Sequence, residues 1–214
     1  LAAMLPYLGE LYGNPSSMHS FGGQVGEAVD TARERMAALL GAHPDEIIFT
    51  SCGSESANMA IRGVLNMNKN KKHIVTTKVE HACVLNLYQT LEKEGYTVDY
   101  IGVNSNGEID LAQLEEAIHF DTALVSVMYA NNETGVIFPI QKIAEIIKRK
   151  NPQTKFFVDA VQVAGKIPID VQELGVDLLS ISGHKFHAPK GVGALYCNSK
   201  TIITPLIIGG HQER

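Results

Sequence analysis

Lys185 stands in the run Ser182-Gly183-His184-Lys185-Phe186-His187-Ala188-Pro189-Lys190-Gly191, directly after the apolar run Asp177-Leu178-Leu179-Ser180-Ile181. A lysine between small residues and a Gly/Pro-rich turn is placed at the end of a buried strand. An amine there can be desolvated and held still, as Schiff-base chemistry requires. An isolated lysine is otherwise a solvated surface charge, so this reading depends on partners elsewhere in the chain.

Candidate partners recur at similar places. Gly53-Ser54 joins a strand to a helix, where free backbone N–H groups, the positive dipole end and a hydroxyl make an anion cradle. Ser54 could equally be a plain helix cap. No Gly-Lys-Ser/Thr follows, so this is not a P-loop, and no G-x-G-x-x-G ends any strand, which weakens a dinucleotide reading. Asp159 ends the run Phe156-Phe157-Val158 and could pair with a protonated ring nitrogen, making a bound heterocycle a better electron sink, or be a loop aspartate. Gln162 could donate to a phenolate oxygen or lie exposed in a turn. His81 could lie flat on an aromatic cofactor or be satisfied by its own backbone. Asn132 could fix a ring substituent or serve the turn Asn131-Asn132-Glu133-Thr134-Gly135.

The elements that would position these groups alternate along the chain. Apolar residues at helical spacing over 22–40 end at Gly41, and Glu46 to Thr50 reads as a strand. A helix follows from about Ser54 to Met67, then a strand over 73–77, a helix over 82–94 and a strand over 96–101. Asp110 caps a helix through Ile118, and 122–128 is a strand. Pro139 opens a helix to Lys150, and 155–158 is a further strand. Such alternation, with strands apolar on both faces, predicts an α/β fold: a three-layer αβα sandwich around a mostly parallel sheet. In such sheets ligands collect beyond the carboxyl ends of the strands, and every candidate above sits at one.

Composition narrows the partners. With 214 residues, 45% hydrophobic and 19% charged, the chain is an ordinary globular protein. A net charge of −5 gives no electrostatic reason to expect nucleic acid or an anionic membrane. No apolar stretch approaches the roughly 18 residues of a membrane helix. Cys52, Cys83 and Cys197 are odd in number and fit no metal-ligand spacing, so no metal is expected. With no secretory signal visible, the reducing cytoplasm is the expected compartment.

The chain resembles the cysteine desulfurases, pyridoxal-phosphate enzymes of the class V aminotransferase group, and most of all their nitrogenase-associated branch. The matching stretches are Gly13 to His19, Phe49 to Ser56, Glu80-His81, Ala130 to Gly135, Val158 to Gln162, Ser182 to Gly191 and Gly209 to Arg214. The resemblance implies the large cofactor-binding domain of the aspartate-aminotransferase-like fold. It implies that Lys185 holds pyridoxal 5'-phosphate as a Schiff base and moves protons, with His81 stacked on the ring. Asp159 would pair with the ring nitrogen and Gln162 with the phenolic oxygen. Gly53, Ser54, Ser182, Gly183 and His184 would hold the phosphate, and Asn132 would help place the cofactor or the substrate carboxylate.

The implied reaction converts L-cysteine to L-alanine and passes the sulfur as a persulfide towards iron–sulfur cluster assembly, in a homodimer whose active site is shared across the interface, with a scaffold or other sulfur-acceptor protein as partner. The resemblance also implies that 1–214 is incomplete at both ends. The first strand would precede Leu1, and the small C-terminal domain, with the persulfide cysteine, would follow Arg214. The three cysteines present read as structural or incidental, so the fragment alone is expected not to desulfurate cysteine. Two other readings stay open. One is a selenocysteine lyase or small-substrate class V aminotransferase. The other is a non-catalytic assembly or binding fragment.

Overall fold

Seven strands form one sheet in the computed structural model, which describes residues 2–210, 212 and 213. In chain order the elements are α1 Leu5–Gly9, α2 Ser20–Leu40, β1 Ile47–Thr50, α3 Gly53–Met67, β2 His73–Thr77, α4 Ala82–Lys93, β3 Thr97–Ile101, α5 Leu111–Ala117, β4 Thr122–Met128, α6 Ile140–Lys150, β5 Lys155–Asp159, α7 Val171–Leu174, β6 Leu178–Ser182 and β7 Gly193–Cys197. The sequence-based boundaries agree with these to within a residue or two. Helix ends follow local chemistry. His19 accepts the Gly22 N–H at 3.1 Å to begin α2, and Gly41, at φ 66°, closes it in the left-handed region. Asp110 and Asp170 cap α5 and α7. Glu46 belongs to a short 3₁₀ turn rather than to β1.

The strand order is β1-β7-β6-β5-β4-β2-β3. β6, β5, β4, β2 and β3 pair in parallel, while β7 is antiparallel to both β6 and β1. Two reversals cancel, so β1 points the same way as β6. The carboxyl ends of β1, β2, β4, β5 and β6 therefore share one edge, and the turns carrying the candidate residues meet there.

The central strands β2, β4, β5, β6 and β7 are buried almost throughout, which explains their unbroken apolar runs. Edge strand β3 alternates exposed and covered positions. Tyr88 and Leu91 of α4 and Ile61 and Val64 of α3 pack with Ile74, Leu124 and Phe157 on one face. Leu114, Ile143 and Ile147 from α5 and α6 pack with Val125, Val127 and Phe156 on the other. This is the expected three-layer sandwich. No helix among the described residues is long and apolar enough to cross a membrane.

Candidate active site

Between β1 and α3 the chain makes a tight turn. The Glu55 carboxylate accepts the Ser51 N–H at 2.8 Å and also takes the Ser51 hydroxyl, while the Thr50 and Ser56 hydroxyls meet at 2.8 Å. Cys52, not Ser54, holds the N-cap position of α3, its sulfur near the N–H groups of Ser54 and Glu55 but without a capping hydrogen bond of normal geometry. Ser54 is thereby left free of capping, and its hydroxyl faces the cavity at the strand ends. At Gly53 an added Cβ would lie 2.8 Å from Val161 Cγ2, so the backbone lies flush against that loop and only glycine leaves the space in front of α3 open. The thiol of Cys52 is held below its ordinary proton affinity, chiefly by the backbone N–H of Glu55.

Asp159 ends β5 almost fully buried, at 7% exposure. Its Oδ1 accepts the Val161 N–H at 2.9 Å and the Ser180 hydroxyl at 3.4 Å. Neither bond uses Oδ2. Burial pushes the carboxyl's proton affinity up, and the Val161 N–H and nearby His81 pull it back. His81 begins α4, its Nδ1 accepting the Cys83 N–H at 3.2 Å and lying 3.1 Å from Cys83 Sγ. The ring is satisfied by its own backbone, and it also lines the cavity.

In the loop after β4, the turn asparagine is Asn131. Its Oδ1 accepts the Glu133 and Thr134 N–H groups, and its Nδ2 donates to Val79 O at 3.1 Å. That leaves Asn132 on the cavity wall, bonded to Glu133 at 2.7 Å. Gln162 Oε1 takes a long bond of 3.4 Å from Lys166, which leaves its Nε2 to donate. After β6, Ser182 Oγ and His184 Nδ1 meet at 3.0 Å. Gly183 does not line the cavity. Its N–H is spent on Val192 O, and an added Cβ would strike Ala188 and Val192 at 2.9 Å, so here it shapes the turn.

Lys185 departs from expectation. It lies in a 3₁₀ turn just past β6, not at the end of the buried strand itself, and its side chain is exposed with no hydrogen bond or ion pair to Nζ among the described residues. The strand ends at Ser182, and three further residues carry the lysine out of the core to the cavity rim. The cavity, about 160 Å³, is thus lined by Gly53, Ser54, His81, Asn132, Asp159, Gln162, Ser182, His184 and Lys185 together. Sequence reasoning missed Cys52, Cys83 and Met128, which also line it. Cys52 and Cys83 were taken as incidental because a thiol's neighbours are not visible in sequence. Cys83 is nonetheless an unreactive lining group, since burial pushes its thiol up to about 11. His81 and Asn132 also border a second cleft of about 540 Å³ beside the first.

The model of the aminotransferase class-V family matches residues 1–214. The chain belongs to this family. Among class-V relatives it is 58% identical over 214 residues to cysteine desulfurase 2 of Trichormus variabilis, covering 100% of this chain and 53% of that protein. It is 49% identical over 213 residues to the cysteine desulfurase NifS of Azotobacter vinelandii, covering 99% and 52%. Among solved structures, a NifS-like protein superposes with a TM-score of 0.97 at 45% identity, over 100% of this chain and 59% of that one. A structure described as SspA in complex with cysteine superposes with a TM-score of 0.94 at 40% identity, over 99% and 61%. The chain spans about half the length of the curated relatives it matches. Its mostly parallel α/β sheet is the class-V fold of these neighbours. In the run Gly209 to Arg214, His211 and Arg214 lie outside the described residues.

Proposed function

We propose that this chain is the cofactor-binding large domain of a cysteine desulfurase that uses pyridoxal 5'-phosphate. The observation that carries the reading is the convergence of Asp159, His81, Ser54, Gln162 and Lys185 on one cavity from four separate turns. The residues fit the group. Asp159 is a buried carboxylate whose Oδ2 takes no bond from the protein, and Gly53 keeps open a cradle that a Cβ would fill.

Asp159 would hold the ring nitrogen protonated, Gln162 Nε2 would donate to the phenolic oxygen, and His81 would cover the ring face. The N–H groups at the start of α3, with Ser54, Ser182 and His184, would bind the phosphate. Gly183 would shape that turn rather than touch the ligand. Asn132 would help orient the substrate carboxylate or the ring. Lys185 would attach the cofactor through Nζ and later hold or return the proton at the substrate Cα. Its exposure in this chain leaves its desolvation to whatever covers the cavity rim. When bound, the cofactor supplies an electron sink for the charge left at Cα.

The substrate would be L-cysteine, consistent with the cysteine named in the 40%-identical neighbour, and the products L-alanine and a persulfide sulfur. Burial raises the thiols of Cys83 and Cys197 to about 11, so neither suits sulfur acceptance, and Cys52 would lie beneath the bound phosphate at the start of α3, so that step would fall to a thiolate outside this chain. A cytoplasmic homodimer delivering sulfur to an iron–sulfur scaffold completes the proposal. The test is visible absorbance of the full-length protein before and after borohydride, with alanine release from cysteine measured in parallel. A reducible chromophore lost in Lys185→Ala is expected, and a chromophore surviving in that variant overturns the assignment.

A further inference from the structure

Among the described residues, four buried side-chain oxygens have no hydrogen-bond partner: Glu80 Oε2, Thr76 Oγ1, Ser126 Oγ and Tyr88 Oη. The three hydroxyls belong together. Thr76 and Ser126 are register neighbours on β2 and β4, so their side chains share a face, and Tyr88 of α4 packs on that face with Ile74 and Leu124. Burial raises the proton affinity of the Tyr88 phenol, and the nearby Ser126 hydroxyl pulls it back. Buried oxygens without partners are uncommon enough that a group of them calls for a reason.

Glu80 supplies one. Its Oε1 accepts two bonds, from the Met128 N–H and from the Thr77 hydroxyl, each at 2.8 Å. These ties join the end of β2 to the end of β4, and the next residue is His81. A carboxylate would leave Oε2 as a buried, unpaired charge. A carboxylic acid instead leaves no net charge on that enclosed oxygen. The neighbouring ionisable groups are Asp159 at the end of β5, His81 and Cys83 at the start of α4, and Tyr88. Asp159 is the charged group that acts on Glu80, and it disfavours ionisation. Burial is the larger cause, and together they push the carboxyl up to about 8. Two carboxyls in one low-dielectric region do not both ionise cheaply. Asp159 shares its cavity with His184 and Lys185, whereas the second cleft, which Glu80 borders, holds no lysine or arginine and a further carboxyl, Glu133, so the shared proton belongs on Glu80.

We propose that Glu80 is a positioning residue, held as a neutral carboxylic acid protonated on Oε2, which ties β2 to β4 beside His81 and leaves Asp159 as the anion of the pair. The use made of the Asp159 anion rests on the proposed function. The protonation of Glu80 does not, because it is set by the apoprotein.

The test uses the full-length protein. Infrared difference spectra of the cofactor-free wild type against Glu80→Gln are expected to show a protonated-carboxyl band at neutral pH that fades as pH rises through about 8. Apoprotein stability is expected to fall from about pH 4.5 to about 8 in the wild type and to fall less steeply in Glu80→Gln, where the Asp159 slope remains. With cofactor bound, Glu80→Ala is expected to lower kcat about tenfold by displacing His81, with KM little moved, and Glu80→Gln to restore most of that loss. Only a carboxylate band at neutral pH, or identical pH–stability curves for wild type and Glu80→Gln, overturns the neutral acid. Full kcat in a folded Glu80→Ala overturns the positioning role. If the band and the slope are found but no pyridoxal chromophore is, the proposed function fails and the Glu80 assignment stands.

Discussion

His81 Nδ1 accepts the Cys83 backbone N–H at 3.2 Å, so the ring that faces the cavity also starts helix α4. With Nδ1 occupied as an acceptor, the neutral ring carries its proton on Nε2. The two duties can be separated by substitution. His81→Asn can still cap and is expected to keep stability, whereas His81→Ala should lose about 1 kcal/mol. Both should lower turnover of the full-length enzyme by about a hundredfold if Nε2 moves a proton. Thermal melts beside kcat make the comparison, and a fully active His81→Asn would remove the proton-carrying role.

Asp159 gives a pH dependence whose sign follows from burial. Its folded-state proton affinity is raised, so its contribution to stability is full at low pH and is lost as pH rises through the folded value. Asp159→Asn is therefore expected to stabilise the apoprotein at neutral pH by about 1–2 kcal/mol while abolishing tight cofactor binding. Melting curves of apo and cofactor-treated samples test both halves. A destabilised apo Asp159→Asn would contradict the burial argument.

Cys52 should be the reactive thiol of the apoprotein. The Glu55 N–H lowers its proton affinity, whereas Cys83 and Cys197 are pushed up to about 11 and hold a thiolate fraction near one in ten thousand at neutral pH. Alkylation followed by peptide mass spectrometry is expected to label Cys52 first. Saturating pyridoxal 5'-phosphate should slow that labelling, because the phosphate would compete for the same helix N–H groups. Unchanged labelling in the presence of cofactor would place the phosphate elsewhere.

Arg33 and Glu213 test how the far end of the chain is anchored. Their bidentate pair, at 3.0 and 3.1 Å, sits where Arg33 also donates to Ile47 O and lies 4.8 Å over the Phe49 ring. Glu213 in turn accepts the Phe49 N–H at 2.7 Å. Arg33 is only 4% exposed, so Glu213→Ala strands a buried guanidinium and is expected to cost about 2 kcal/mol, a figure reduced for the partly exposed glutamate. Adding Arg33→Met should recover part of that loss in a double-mutant cycle. Strictly additive losses would mean that the pair is not coupled.

The strand-end rule located Asp159, His81, Ser54 and Gln162 because a polar group at the end of an apolar run is visible in one dimension. The same rule misjudged Lys185. Its neighbours suggested a buried strand end, but β6 stops at Ser182 and the 3₁₀ turn carries the lysine to the rim. Cys52 and Cys83 were passed over because their significance lies in the backbone N–H or the ring nitrogen each one meets. Glu80 entered only as part of the Glu80-His81 stretch and was given no role, since neither its enclosure nor its neighbour Asp159 can be read from the dipeptide.

The sequence alone determined the layers of this protein and the places where its chemistry could sit. Apolar periodicity dictates which segments become helices or buried strands, and local caps dictate where they stop. The strand order was decided only in three dimensions. β7 inserts antiparallel between β1 and β6, and this points β1 the same way as its distant neighbours and sets the Ser54 turn beside Asp159 and Lys185. Pairing of that kind depends on which faces bury together across more than a hundred residues, and no local pattern encodes it. The proton affinities of Asp159, Glu80 and Cys52 followed from the same packing, because burial and nearby dipoles set them.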